Sequence, residues 1–105
     1  MTIDNLIVAD VPERNRFEAH LDGKLAGFSA YQKAGELIVF THTEVDRAFE
    51  GRGIGAELVR RALDAVRAAG THKVLPLCPF VRAFTDQHEQ YWDLIFAPPR
   101  STAVD

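Results

Sequence analysis

The stretch AFEGRGIGAELVRRAL, Ala48 to Leu63, sets Gly51, Gly53 and Gly55 at alternate positions just before a charged and apolar run. In that run Ile54, Leu58, Val59, Ala62, Leu63, Val66 and Ala69 recur at helical spacing. Glu57 and Arg61 stand four apart in the favourable order for a helix surface pair. Gly70 follows, suited to the left-handed residue that closes many helices. The spacing predicts a helix from about Ile54 to Ala69, with the glycines straddling its start. A helix start leaves backbone N–H groups unpaired and carries partial positive charge, so it is suited to an anion such as phosphate. Glycine lets that anion approach bare backbone, and Arg52 adds a cation. The competing reading is a surface loop with no ligand.

Upstream, Arg16 to Leu21 alternates, with Phe17, Ala19 and Leu21 on one face. Asp22-Gly23 suits a tight hairpin, and Leu25 to Gln32 reads as the return strand, with Ala26, Phe28 and Ala30 on one side. Ala34-Gly35 makes a second turn. ELIVFTHTEV then predicts a third strand whose apolar run implies burial on both faces. Downstream, KVLPLC is a short strand, and a strand-helix-strand passage places its two strands side by side and parallel. Pro79 opens a second helix over Phe80 to about Gln87. HEQYWDLI is a further short helix or turn, and APPRSTAVD reads as a frayed tail. The fold class is α+β: an antiparallel meander extended by a β-α-β unit with short C-terminal helices. One domain is expected over 1–96, with a flexible tail over 97–105.

Three other motifs fail on their context. GRGIGA satisfies the dinucleotide fingerprint formally, but that loop must follow a strand directly and be answered by a carboxylate about 20 residues on. Here the third strand ends near Thr43, and the later strand ends in Leu77 and Cys78. A P-loop needs Gly-Lys-Ser/Thr, which is absent. HTE at His42 to Glu44, with Pro76 and Cys78, hints at a zinc deaminase, which requires a second nearby cysteine. The chain has one cysteine, so no metal site is expected.

Composition narrows the class further. The chain has 105 residues, room for one modest core. A net charge of −3 gives no general reason to expect nucleic-acid or membrane partners. No signal peptide or membrane-spanning run is visible. A lone cysteine fits a reducing cytoplasm, so a cytoplasmic location is expected.

The segments THTEV, GRGIGAELVRRALDAVR, VLPLCPFV and HEQYWDLI, in this order over roughly Phe17 to Ile95, resemble the small single-domain (YjdJ-type) GNAT N-acetyltransferases. The resemblance implies an acetyl-CoA pyrophosphate held by backbone N–H groups of the glycine loop, with Gly51, Arg52, Gly53, Ile54, Gly55 and Ala56 as binding residues. It also implies that the two parallel strands splay, so that the pantetheine arm enters the gap and pairs with a strand at Thr43, Glu44 and Val45. Pro79 and Phe80 border that gap, and the acetyl thioester lies near Cys78. Three departures stand out: Glu50 where relatives carry Arg or Gln, Phe84 where Tyr is common, and HEQY in place of His-Pro-Glu-Tyr.

Acetyl transfer needs a neutral amine, a polarised carbonyl and a proton for the departing thiolate. Cys78 has two candidate forms: a thiolate nucleophile that takes the acetyl group first, or a thiol that either merely lines the pocket or protonates the leaving group. A free thiol is only a few per cent thiolate at neutral pH unless a cation or helix start favours the anion. The bland reading is a buried small hydrophobe. His42, near the strand end, suits a base or a thiol activator, or is a hydrogen-bonded strand histidine. Tyr91 is expected to pack, His20 and His72 to lie at the surface, and His88 to stabilise the HEQY turn. The expected function is acetyl-CoA-dependent N-acetyl transfer to an amine, a small molecule or a protein lysine. The alternative is a non-catalytic acyl-CoA-binding or sensing module, since the chain lacks the N-terminal helices that wall the acceptor site in larger relatives.

Overall fold

Residues 4–96 are described by a computed structural model of the chain. The segment 97–105, expected as a tail, lies outside the described residues. Five strands form one sheet in the order β1-β2-β3-β4-β5: Leu6–Val11, Arg16–Leu21, Lys24–Ala34, Leu37–Val45 and Lys73–Pro76. The first four are antiparallel neighbours, and β4 and β5 run parallel. Helix α1, Ile54–Ala69, links them, and α2, Pro79–Asp86, follows β5. A 3₁₀ segment, Glu89–Leu94, occupies the expected short helix or turn. Among the described residues no helix is long and apolar enough to cross a membrane.

The expected hairpin forms at Asp22-Gly23, where φ values of 52° and 82° give the paired left-handed conformation of a two-residue turn. The meander begins one strand earlier than the alternation from Arg16 implies. Leu6 to Val11 pairs with β2 from Leu6↔Leu21 to Val11↔Arg16, and Pro12 ends it by opening a single 3₁₀ turn.

Two bulges correct the expected faces. Ala19 pairs with Gly27 but His20 pairs with Leu25, so Ala26 is an extra residue in β3. Ser29 and Tyr31 therefore point into the core, at 0% and 1% exposure. Phe28 lies on the opposite face with the Arg16 guanidinium 4.4 Å from its ring centre. In β4, Tyr31 pairs with Phe40 and Ala30 with His42, which leaves Thr41 as the extra residue. Ile38 and Phe40 are buried, whereas His42 and Glu44 are exposed. The expectation that β4 is buried on both faces is thus overturned, because only one face of the meander is covered.

That covered face holds the core. Helix α1 buries Leu58, Val59 and Leu63 against Phe17, Tyr31 and Phe40 of the sheet. Gly70, at φ 70°, closes the helix by donating its N–H to the Val66 carbonyl at 3.2 Å. The Glu57–Arg61 pair forms at 3.0 Å, and Arg61 also reaches the Leu6 carbonyl at 2.7 Å, tying α1 to β1.

Candidate functional site

Strands β4 and β5 separate where their pairing ends. The parallel ladder runs from Leu37↔Lys73 to Phe40↔Pro76 and stops. One further tie, Cys78 N–H to the Phe40 carbonyl at 2.8 Å, holds the end of β5 against β4. Pro79 then takes the first position of α2 and turns the chain away. Strand β4 continues to Val45 with β3 alone as its sheet partner. Asp46 donates its N–H to the Ala26 carbonyl at 2.7 Å, which sets the phase of that antiparallel ladder. By alternation, His42 and Glu44 turn their main-chain groups to β3, and Thr43 and Val45 turn theirs to the opening. The opening therefore offers a strand edge of the kind that an extended ligand pairs with.

At the mouth of the opening stands the start of α1. Gly53 caps it at φ 77° without a side-chain bond, and Gly51 sits at φ 82°. Both positions need glycine for their backbone conformation. Gly55 is glycine for another reason. A Cβ there would lie 2.8 Å from Phe80 Cζ and 3.3 Å from Val45 Cγ2. Its missing side chain lets α1, α2 and β4 converge, a packing reason for glycine that is separate from bare backbone for an anion. Arg52 and Glu50 are exposed in this loop, and Arg52 lies 5.9 Å from the Phe49 ring centre.

At the inner end, Cys78 is 2% exposed and its Sγ–H donates to Thr43 Oγ1 at 3.3 Å. Thr43 Oγ1 in turn shares a hydrogen bond with Ser29 Oγ at 2.9 Å. These three residues form a buried polar chain on the core side of β4. His42 projects from the opposite face, where its Nε2 donates to Glu44 Oε2 at 2.9 Å and its ring lies 6.1 Å from that of Phe28. Cys78 and His42 are therefore not brought together, since consecutive strand residues point to opposite faces. The thiol's partner is Thr43, whose hydroxyl the sequence reading passed over. A polar residue paired with Ser29 inside an otherwise apolar strand face was the available signal.

The uncovered face carries a row in register, Glu18↔Phe28↔Glu44. Glu18 is nearly buried there, bonded by Arg16 Nε at 2.8 Å and Arg14 Nη1 at 3.3 Å. Burial alone would raise its carboxyl pKa, but the bonds and charges of Arg16 and then Arg14 outweigh it and hold the group below its ordinary value.

Tyr91 packs as expected, donating its hydroxyl to Asp64 Oδ1 of α1 at 2.7 Å. Burial first, then that hydrogen bond and the Asp64 charge, push its phenol up to about 12. His88 donates Nδ1–H to the Phe84 carbonyl at 2.6 Å, and its ring stacks on Phe84 with centres 4.0 Å apart. His20 and His72 are half-exposed. A cavity of about 280 Å³ lies between α1 and α2, lined by Ala56, Arg60, Phe80, Ala83, Phe84, Gln87 and His88. Of these, only Ala56 and Phe80 are among the binding residues that the family resemblance implies. Among the described residues no group of three or more His, Cys, Asp or Glu is placed to hold a metal ion.

A family model for GCN5-related N-acetyl-transferases matches residues 16–94. Among solved structures, a GCN5-like candidate N-acetyltransferase from Staphylococcus aureus matches with a TM-score of 0.67 and 18% identity, over 98% of this chain and 100% of that one. A ribosomal-protein-alanine N-acetyltransferase from Brucella melitensis matches with a TM-score of 0.55 and 23% identity, over 86% and 67% of the two chains. A GNAT family acetyltransferase from Brucella melitensis, solved with acetyl-CoA, matches with a TM-score of 0.53 and 27% identity. That last match spans 66% of this chain and 50% of the larger relative. No curated protein matches the chain in sequence.

Proposed function

The chain belongs to the GCN5-related N-acetyltransferase family, and from that premise we propose that it binds acetyl-CoA between β4 and β5 and moves the acetyl group to an amine acceptor. The observation that carries this reading is the opening itself, with a helix start at its mouth and a buried thiol at its inner end. The groups present fit the cofactor. First-turn N–H groups of α1 suit the pyrophosphate, and the exposed main-chain groups of Thr43 and Val45 suit the amide-bearing arm. Bound acetyl-CoA supplies the activated acetyl group.

The chain's own residues then hold and move protons. As amine nitrogen bonds to the acetyl carbon and the carbon–sulfur bond breaks, the amine must lose a proton and the leaving sulfur must gain one. On the core side, Cys78 holds a thiol proton, oriented by Thr43. On the uncovered face, His42 donates Nε2–H to Glu44, which leaves Nδ1 free to accept the amine proton. The burial of Cys78 and its donation to a neutral hydroxyl support the proton-donor role over an acetyl-enzyme. A thiolate nucleophile would call for a cation or basic partner at Sγ or a helix start; Cys78 caps α2, but its Sγ–H is directed to the Thr43 hydroxyl.

Calorimetric titration with acetyl-CoA and CoA tests the binding. No heat from either at roughly hundreds of micromolar would sink the proposal. Mass spectrometry after brief exposure to acetyl-CoA tests the role of the thiol: an unmodified Cys78 is expected, and a labile acetyl adduct would restore the acetyl-enzyme route. A second reading, a non-catalytic acyl-CoA sensor, draws on the sheet face that no helix covers among the described residues. Release of CoA above spontaneous hydrolysis, across a panel of amines, separates it from an enzyme.

A further inference from the structure

We propose that a second cavity, enclosed by β5, α2 and the 3₁₀ segment Glu89–Leu94, binds a free aromatic α-amino acid as its zwitterion. No residue of β4 or α1 lines it, so it lies apart from the β4–β5 opening and stands without the CoA reading. At about 470 Å³ the space falls within the ~300–1,000 Å³ typical of small-molecule pockets. Its walls are largely apolar. Of the six exposed large hydrophobic side chains among the described residues, three gather here: Leu77, Trp92 and Phe96, at 60%, 57% and 38% exposure. Such a cluster marks a contact site, whereas single exposed hydrophobics do not. Trp92 is held in place, because its Nε1–H donates to the Thr85 carbonyl at 2.8 Å. That bond occupies the indole's single donor and leaves a fixed ring face for another aromatic ring to stack on.

The charged groups of the cavity come as one pair of opposite sign. Arg82 and Asp86 both line it, and their spacing of four residues sets them on one face of α2. Their order, base before acid, is the less favourable one for closing a pair along a helix. Among the described residues no ion pair takes up either group. The guanidinium fork is therefore available to a carboxylate, and the Asp86 carboxylate to an ammonium. A ligand that meets both must carry the two charges close together, with an aromatic group for the indole face. A free aromatic α-amino acid has that constitution. A simple aromatic acid would leave Asp86 unanswered, an aromatic amine would leave Arg82 unanswered, and a residue within a peptide would leave both.

Trp92 is the chain's one tryptophan, so its emission, excited where phenylalanine does not absorb, reports on this cavity alone. The test titrates L-phenylalanine, N-acetyl-L-phenylalanine and phenethylamine into the wild-type protein, Arg82→Gln and Asp86→Asn, with circular dichroism to verify the fold of each variant. Phenylalanine is expected to give a saturable change in the wild-type protein and to bind about fivefold tighter than either analogue, each of which lacks one exposed charge contact. Arg82→Gln should bring phenylalanine down to the affinity of phenethylamine without weakening the latter. Asp86→Asn should do the same relative to N-acetyl-phenylalanine. No saturable change below roughly 10 mM would overturn the site. Equal binding of the three ligands, or folded variants that keep the wild-type order, would overturn its reading as a zwitterion pocket. Emission that shifts with protein concentration alone, together with a dimer in sedimentation, would show that a second copy covers this face instead.

Discussion

The two halves of β4 are built from one continuous run of sequence and do different work. From Leu37 to Phe40 the strand is hydrogen-bonded on both edges and sends Ile38 and Phe40 into the core. From Thr41 to Val45 it keeps only its β3 edge, and its inward side chains are Thr43, whose hydroxyl meets Cys78, and Val45, which packs at the margin of the core. The extra residue at Thr41 separates the halves. The first half holds its place by apolar burial, and the second by its bonds to β3 and by polar ties. The comparison shows how a sheet supplies a strand edge for a ligand without surrendering its core: the pairing to β5 stops at Phe40, where the fully buried side chains of the strand also end.

The largest effect expected from breaking this contrast belongs to the first half. Phe40→Ala, at a position 1% exposed, should cost about 3–5 kcal/mol, read as a lowered urea midpoint. A loss below about 1 kcal/mol would show that the first half is not held by packing. Next comes Gly27→Ala, where a Cβ would lie 2.6 Å from the Glu44 backbone oxygen in the second half. Backbone cannot move aside as a side-chain tip can, so a loss of about 1–3 kcal/mol is expected, together with weaker CoA binding. Unchanged stability would mean that the β3–β4 pairing there is slack.

A pH series sharpens the contrast on the uncovered face. The folded Glu18 carboxyl is held below its unfolded value of 4.5. Its contribution is therefore present above that pH and lost as pH falls through the lower folded value. Glu18→Gln should flatten this part of the stability curve in acid, and a wild-type slope persisting in the variant would refute the assignment. The smallest stability effect is expected from Thr43→Val. Losing the bonds to Cys78 and to the buried Ser29 hydroxyl costs about 1–2 kcal/mol in thermal unfolding, while turnover should fall far more than stability if Thr43 orients the thiol.

The parts that could be read from the sequence were those carried by periodicity and turn chemistry. The α1 stripe from Ile54 to Val66, the Asp22-Gly23 hairpin and Pro79 at the start of α2 each express a local rule within a few residues. Strand β1 was present in LIVADV, an apolar run stopped by Pro12, but it lacked the alternation that marks a half-buried strand. The two bulges left no such mark. An inserted residue at Ala26 or Thr41 changes every face beyond it, yet neither residue is unusual for a strand, and only the partner strand reveals the count. For the same reason His42 and Cys78, close in the sequence reading, lie on different faces of β4. The near-burial of Glu18 depends on Arg14 and Arg16 folding back over it, a tertiary fact with no local signature. Gly55 was legible as glycine but not for its reason, because Phe80 and Val45 come to it from elsewhere in the chain.

The end of the β4–β5 pairing at Phe40 also acts as a ruler. From Val45, beside the start of α1, to Phe40, whose carbonyl accepts the Cys78 N–H, there are five residue steps, about 16 Å at ~3.3 Å per residue. On the proposed reading, an acyl carrier reaches Cys78 only if that length of arm separates its phosphate from its thioester. Short acetyl donors such as acetyl phosphate, anchored at the same helix start, would stop short of the thiol. The fold would then discriminate among acyl donors by reach, independently of the acyl group they carry.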